Sequence, residues 1–171
     1  MFIHSLLTGL KFTAIMGILA HVFGLVFPKE FLRYDSFLFS SYDWEKDGRY
    51  YNKFGVSHWM SKLPDMSRAV PYMFRKKLSH DLSSDHIKRY IDETCMAELV
   101  HILLILSSPI LTVLVDGITG VVFMMIYAFC NIPFVIIQRY NRPKLVRLLR
   151  RQLYREKIVE EAENESAGTV L

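Results

Sequence analysis

A glutamate and a histidine stand close together at the start of an apolar stretch in this 171-residue chain. Glu98 and His101 are three positions apart, so they share one face of a helix. A carboxylate beside an imidazole orients the ring and stabilises its cationic form, and such an imidazole can take the proton of a hydroxyl group. The pair predicts a catalytic His101 with Glu98 as its orienting partner. The alternative, in which Glu98 pairs with a basic residue at a membrane interface, stays open.

A second group of polar residues lies in and after the next apolar stretch. Asn131, Gln138 and Arg142 are seven and four residues apart, close to one stripe of a continued helix. Amide side chains hydrogen-bond sugar hydroxyls, and an arginine binds a phosphate or a carboxylate. Together with Arg139 and Asn141, these residues are predicted to bind substrate. Asn131 could instead hydrogen-bond a neighbouring helix without any ligand.

Other kinds of chemistry find less support in the sequence. Glu98-x-x-His101 has the spacing of metal ligands in carboxylate-bridged bundles, but it occurs once, so no metal site is predicted. His80 and Asp85 have the H-x-x-x-x-D spacing of glycerolipid acyltransferases, but no phosphate-binding motif follows, and Asp85 suits the first turn of a helix. Nucleophile elbows, phosphate-binding glycine loops and dinucleotide fingerprints are absent. We therefore expect no cofactor.

Two apolar runs position the candidate residues. They cover residues 99–115 and 121–137, and the turn dipeptide Asp116-Gly117 separates them. Each run with its flanks approaches the roughly 20 residues that a helix needs to cross about 30 Å of hydrocarbon. The sequence predicts a transmembrane helical hairpin over residues 93–142. Ionisable groups at membrane depth usually face a bundle interior or a wet cavity, which favours Glu98 and His101 as site residues.

The remaining segments also suit a membrane protein. Residues 1–27 form a predicted first span that ends before Pro28, with a cleaved signal peptide as the alternative. Residues 28–92 are polar and rich in aromatic side chains, as is typical of a segment at the level of the lipid headgroups. We expect Pro143 to begin a separate basic amphipathic helix over residues 143–171 that lies on an anionic leaflet and ends in a frayed acidic tail.

These elements predict one all-α integral membrane domain over residues 1–171 with about three transmembrane helices. Its composition, 51% hydrophobic and 22% charged, agrees with a small membrane protein. Lysines and arginines concentrate in residues 28–92 and after Ile137, which places the N-terminus outside and the C-terminus in the cytoplasm. Both ends of the hairpin then lie at the inner face. Cys95 and Cys130 lack a C-x-x-C partner and are expected to be free thiols. The expected partner of the basic tail is lipid rather than nucleic acid.

Several short motifs stand in a familiar order between about residues 28 and 149. They are Asn52-Lys53, Trp59-x-x-Lys62 with Asp65 after it, Glu93-Thr94-x-x-Ala97-Glu98-Leu99-x-His101, Asn131-x-Pro133, and the string QRYNRPKL from Gln138 to Leu145. In order and spacing they resemble the glycosyl-4,4'-diaponeurosporenoate acyltransferase family. The QRYNRPKL string is the most specific part of this resemblance.

The resemblance implies a cell-membrane enzyme of late C30 carotenoid biosynthesis. Such an enzyme esterifies the glucose C6'' hydroxyl of a glycosylated carotenoid acid with a fatty acyl chain. The acyl donor, an acyl-CoA or an acyl carrier protein, is a co-substrate. Trp59, Lys62 and Asp65 then become candidate substrate-binding residues, with Trp59 stacked on the sugar. Two other interpretations stay open: an acyltransferase acting on another glycolipid, and a non-catalytic membrane scaffold that associates with other pathway enzymes.

Overall fold

The protein is described by a computed structural model that covers residues 2–63 and 83–168. Within these ranges the chain forms helices and no strands, which confirms the predicted all-α fold class. The helices are α1 (Phe2–Val26), α2 (Val56–Trp59), α3 (Ser84–Ser107), α4 (Ile110–Leu114) and α5 (Gly117–Gly168). Short 3₁₀ turns occupy Lys29–Phe31, Asp43–Glu45, Arg49–Phe54 and Met60–Lys62. His80 and Asp65 lie outside the described residues.

Three segments of the described chain are long and apolar enough to cross a membrane. They are Ile3–Val26, Ser84–Leu114 and Gly117–Ala162, with lengths of 24, 31 and 46 residues. Many of their large apolar side chains are exposed, as Ile18, Val113 and Phe129 illustrate. A soluble protein would bury such side chains, whereas lipid covers them at no cost. The three predicted spans are therefore confirmed, and the chain is a membrane protein.

The turn of the hairpin lies where the sequence predicts it. Helix α3 ends at Ser107, just before Pro109, and one further turn of helix, α4, follows. Val115 then adopts an extended conformation, and Gly117 has a φ of +65°, which favours glycine. A Cβ atom on Gly120 would lie 2.1 Å from the Val115 carbonyl oxygen. Only a glycine permits this close approach, so residues 115–120 fix the turn.

Helix α5 differs from expectation, because it passes through Pro143 without a break. It is one helix of 52 residues that also contains Pro133. The prediction of a separate helix beginning at Pro143 is therefore wrong, and the acidic segment expected to fray is helical as far as Gly168. A proline removes one main-chain hydrogen bond but has a φ compatible with a helix. Long apolar helices accept this loss where neighbouring groups satisfy the freed carbonyl.

The chain divides into two compact units. The first consists of Met1–Ser40 and Asp92–Arg139, and the second of Ser41–Ile91 and Tyr140–Leu171. In the first unit the loop after α1 packs on α3, and the core of this contact contains Leu32, Phe39, Cys95 and Met96. Lys29 of this loop also forms an ion pair with Glu93. Both cysteines, Cys95 and the exposed Cys130, are free as predicted.

The second unit has its own polar contacts. The carboxylate of Glu45, which is 1% exposed, accepts hydrogen bonds from the Tyr51 hydroxyl and from the Tyr42 main-chain N–H at 2.8 Å. At the start of α3, the main-chain N–H of Ser84 donates a hydrogen bond to Glu156 of α5 at 3.1 Å. The two helices therefore remain side by side in this unit.

Candidate active site

A buried ion pair joins the two helices of the hairpin in the first unit. Arg139 Nη1 of α5 lies 2.7 Å from Glu98 Oε1 of α3, and the two side chains are 10% and 1% exposed. The same guanidinium donates hydrogen bonds to the carbonyl oxygens of Leu38 and Ser40, each at 3.0 Å. Arg139 therefore ties the loop that follows α1 to the hairpin.

The imidazole of His101 lies in a second contact between the same helices. His101 Nδ1 is 2.9 Å from Asn131 Oδ1. The Asn131 side chain in turn donates from Nδ2 to the Tyr127 carbonyl oxygen at 2.8 Å. The Phe134 ring stacks on the imidazole with 4.5 Å between ring centres and 8° between planes. Both the edge and the face of the imidazole are thus held by α5.

A third polar contact continues this series. The Tyr127 side chain of α5 interacts with the Ser107 side chain of α3, and the Ser107 hydroxyl donates to the Leu104 carbonyl oxygen at 2.7 Å. The three contacts, which we call the polar seam, are Glu98–Arg139, His101–Asn131 and Ser107–Tyr127. They follow the antiparallel order of the hairpin. Hydrogen bonds between helices replace those that water would otherwise make in the apolar span.

The polar seam changes the pairing that the sequence predicts. Glu98 is expected to orient His101 because the two share a helix face, but the ring nitrogen of His101 bonds to Asn131. Glu98 is paired with Arg139 instead. An i, i+3 spacing allows a contact along one helix, whereas each of these side chains reaches a stronger partner across the hairpin. The alternative of Glu98 paired with a basic residue is the one that the structure contains.

The sequence did carry a signal for the His101–Asn131 contact. Both residues lie 15 positions from Asp116, on opposite sides of the turn. In an antiparallel helical hairpin, residues equally distant from the turn lie at similar heights. The two carbonyl partners of Arg139 had no such signal, because Leu38 and Ser40 are 101 and 99 residues away along the chain.

Two other predicted residues of α5, Gln138 and Arg139, differ in whether protein groups already occupy their side chains. Gln138, in the first unit, is half-buried and makes no hydrogen bond to any described residue. Its amide is thus free to bind a substrate. Arg139, predicted to hold a phosphate or an oxyanion, already has three acceptors around its guanidinium. It therefore holds the protein together at this point.

The remaining predicted residues belong to the second unit. Asn141 is half-buried and has no hydrogen-bond partner among the described residues, whereas Arg142 is 3% exposed. The indole N–H of Trp59 donates to the Phe54 carbonyl oxygen at 3.0 Å, which fixes the ring. Lys62 is exposed, and Asp65 lies outside the described residues.

Comparison with known proteins gives a consistent answer. A family model described as glycosyl-4,4'-diaponeurosporenoate acyltransferase matches residues 35–151, which include the polar seam. A Staphylococcus aureus protein of that name, from strain bovine RF122 / ET3-1, is 34% identical over 130 residues, or 74% of this chain and 77% of the relative. Its counterparts from strains N315 and USA300 are 33% identical over the same shares of the two chains. No solved structure matches this chain at a significant level.

Proposed function

We propose a reaction for this chain, which belongs to the glycosyl-4,4'-diaponeurosporenoate acyltransferase family and is therefore an acyltransferase. It transfers a fatty acyl chain from a thioester donor to the glucose C6'' hydroxyl of a glycosylated carotenoid acid. The observation that carries the proposal is that the family match spans the polar seam, where a half-buried imidazole lies between two apolar helices. The acceptor and the donor both have hydrophobic tails, which can stay in lipid while the polar ends of the two substrates meet at such a site.

His101 acts as the general base in this proposal. Its imidazole takes the proton of the sugar hydroxyl as that oxygen forms a bond to the donor's carbonyl carbon. The tetrahedral intermediate then collapses, the carbon–sulfur bond breaks, and the proton passes from the imidazolium to the leaving thiolate. The products are the sugar ester and the free thiol of the donor. No cofactor takes part.

The other predicted residues have supporting roles. Glu98 acts through Arg139, because their ion pair positions the loop at Leu38–Ser40 against the hairpin. Gln138 and Asn141 bind sugar hydroxyls with amides that make no hydrogen bond to described residues. Four residues of the second unit also bind the substrates. Arg142 binds the donor and Trp59 stacks on the sugar, while Lys62 and Asp65 are further substrate-binding residues.

We place the protein in the cell membrane with the N-terminus outside and the C-terminus in the cytoplasm, as the distribution of lysine and arginine favours. The loop after α1 contacts the start of α3 through Lys29–Glu93 and contacts α5 through Arg139, which supports a common side of the bilayer for these three segments. A cytoplasmic position gives them access to the acyl donor, either acyl-CoA or an acyl carrier protein. Other enzymes of the pathway are candidate partners.

The test is an acyl-transfer assay with the purified full chain in lipid nanodiscs, supplied with the glycosylated carotenoid acid and an acyl-CoA. His101→Ala should lower kcat by about 100-fold or more, since a general base contributes about 10² to 10⁴ to the rate. His58→Ala, at an exposed histidine of α2, is the matched control and should retain activity. If the kcat of His101→Ala stays within about a factor of two of the value for the unmodified protein, His101 is not the base.

The same assay separates the two other interpretations. If the unmodified protein acylates another glycolipid but not the glycosylated carotenoid acid, the acceptor is assigned wrongly and the reaction class is right. If it consumes neither acyl-CoA nor an acylated carrier protein with any glycosylated acceptor, the scaffold interpretation replaces the catalytic one.

A further inference from the structure

The two ends of the Asn131 side-chain amide are distinguishable by their contacts. The atom that faces the Tyr127 carbonyl oxygen at 2.8 Å must be the NH₂ group, because two carbonyl oxygens at that distance would repel each other. The amide oxygen, Oδ1, therefore faces His101 Nδ1 at 2.9 Å. An amide oxygen can only accept a hydrogen bond. The orientation of this amide is thus set by the main chain of its own helix.

This orientation fixes the proton on the imidazole. Because Asn131 Oδ1 is an acceptor, the hydrogen bond requires a hydrogen on His101 Nδ1. In the neutral ring the lone pair then lies on Nε2. Nε2 makes no hydrogen bond to any residue that the structure describes, and the side chain is half-buried rather than enclosed. The stacked Phe134 ring restricts rotation of the imidazole out of this plane.

From this network we infer that Asn131 is a positioning residue, which selects the Nδ1–H tautomer of His101 and so makes Nε2 the atom that takes the substrate proton. The inference rests on the proposed function and replaces the sugar-binding role that the sequence predicts for Asn131. When the sugar hydroxyl loses its proton to Nε2, the Nδ1–H bond to Asn131 stays intact, so the ring need not turn during the reaction. Glu98 takes no part in this selection, since its carboxylate is bonded to Arg139.

The direct test is spectroscopic and does not depend on turnover. The full chain, labelled with ¹⁵N-histidine and reconstituted in phosphatidylcholine and phosphatidylglycerol vesicles, is studied by solid-state NMR, with His101 assigned by its loss in His101→Gln. At a pH where the ring is neutral, His101 should show a protonated Nδ1 and an unprotonated Nε2. In Asn131→Leu the signals should become those of mixed tautomers. A protonated Nε2 in the unmodified protein would overturn the inference.

A kinetic test examines how the tautomer of His101 affects the rate of acyl transfer. Asn131→Leu should lower kcat by about 10- to 100-fold, less than the full loss of a base, with the KM values of both substrates nearly unchanged. Asn131→Asp keeps an acceptor oxygen for His101 but loses the N–H donor to the Tyr127 carbonyl, so it should recover only part of this loss, whereas a purely structural role would make it at least as harmful as leucine. Cys130→Leu is the matched control, because Cys130 is the preceding residue and is exposed. A rise in KM for the acceptor without a fall in kcat would show that Asn131 binds the sugar instead.

The two proposals can fail separately. If His101→Ala is active but the NMR spectrum shows the Nδ1–H form, Asn131 still selects the tautomer and the base lies elsewhere. If His101→Ala is inactive and the spectrum shows the Nε2–H form, His101 remains the base and its selection by Asn131 is wrong.

Discussion

Arg139 Nη1 lies 2.7 Å from Glu98 Oε1, and both side chains are almost fully buried between α3 and α5. The guanidinium also reaches two main-chain carbonyls of the loop after α1. One arginine therefore links all three apolar helices, directly or through this loop. Its loss should affect the stability of the whole first unit rather than a single contact.

Arg139→Gln should lower the free energy of unfolding by about 3–5 kcal/mol, because it removes the guanidinium that pairs with the buried carboxylate of Glu98. The measurement is denaturant unfolding in mixed micelles. The double change Glu98→Gln with Arg139→Gln removes both charges and should recover part of this loss. If the double change is as harmful as the sum of the two single changes, the ion pair is not a coupled unit.

Tyr51→Phe should destabilise the second unit by about 1–3 kcal/mol, because it removes a hydroxyl donor from the buried Glu45 carboxylate. Tyr50→Phe is the matched control. The adjacent Tyr50 contacts Trp44, Tyr51 and Phe54 through its ring, and its hydroxyl makes no hydrogen bond to a described residue. Thermal unfolding in detergent, followed by tryptophan fluorescence, compares the two variants. Equal shifts in Tm would contradict the role given to the Tyr51 hydroxyl.

Gly9→Leu should weaken the contact between α1 and α5. A Cβ atom on Gly9 would lie 2.8 Å from Phe123 Cδ2, so a larger side chain must displace that ring, at a cost of about 1–3 kcal/mol. Gly17→Leu is the control on the same helix, because within the described chain no atom other than the helix's own backbone lies within 4 Å of its Cβ position, and it should leave stability unchanged or raise it. The readout is the free energy of unfolding in micelles; a loss for both variants would indicate a general intolerance of α1.

Gln138→Leu should raise the KM for the glycosylated acceptor by about 3- to 10-fold with little change in kcat, which is the effect of losing one neutral hydrogen bond of about 0.5–1.5 kcal/mol. Gln152→Leu is a control at a glutamine whose amide donates to Glu156 within the second unit. Steady-state kinetics in nanodiscs measure both. An unchanged KM for Gln138→Leu would remove Gln138 from the sugar site.

The sequence by itself determined the helical class, the three spans and the position of the turn. These features depend on the length of apolar runs and on glycine conformations, which are local properties of the chain. The turn at Asp116-Gly117 also set the register of the hairpin, so that His101 and Asn131 lie at the same height. The continuity of α5 through Pro143 was not foreseen, because a proline allows both a helix start and a helix interior.

Only the tertiary structure decided which partner each polar side chain takes. Their spacing puts Glu98 and His101 on one helix face. The packing of α3 against α5 then pairs Glu98 with Arg139 and His101 with Asn131. The carbonyls of Leu38 and Ser40 came to Arg139 from a distant part of the chain. Buried polar groups must be satisfied by whichever donors and acceptors packing brings within reach, and that choice is made by the whole fold rather than by any window of sequence.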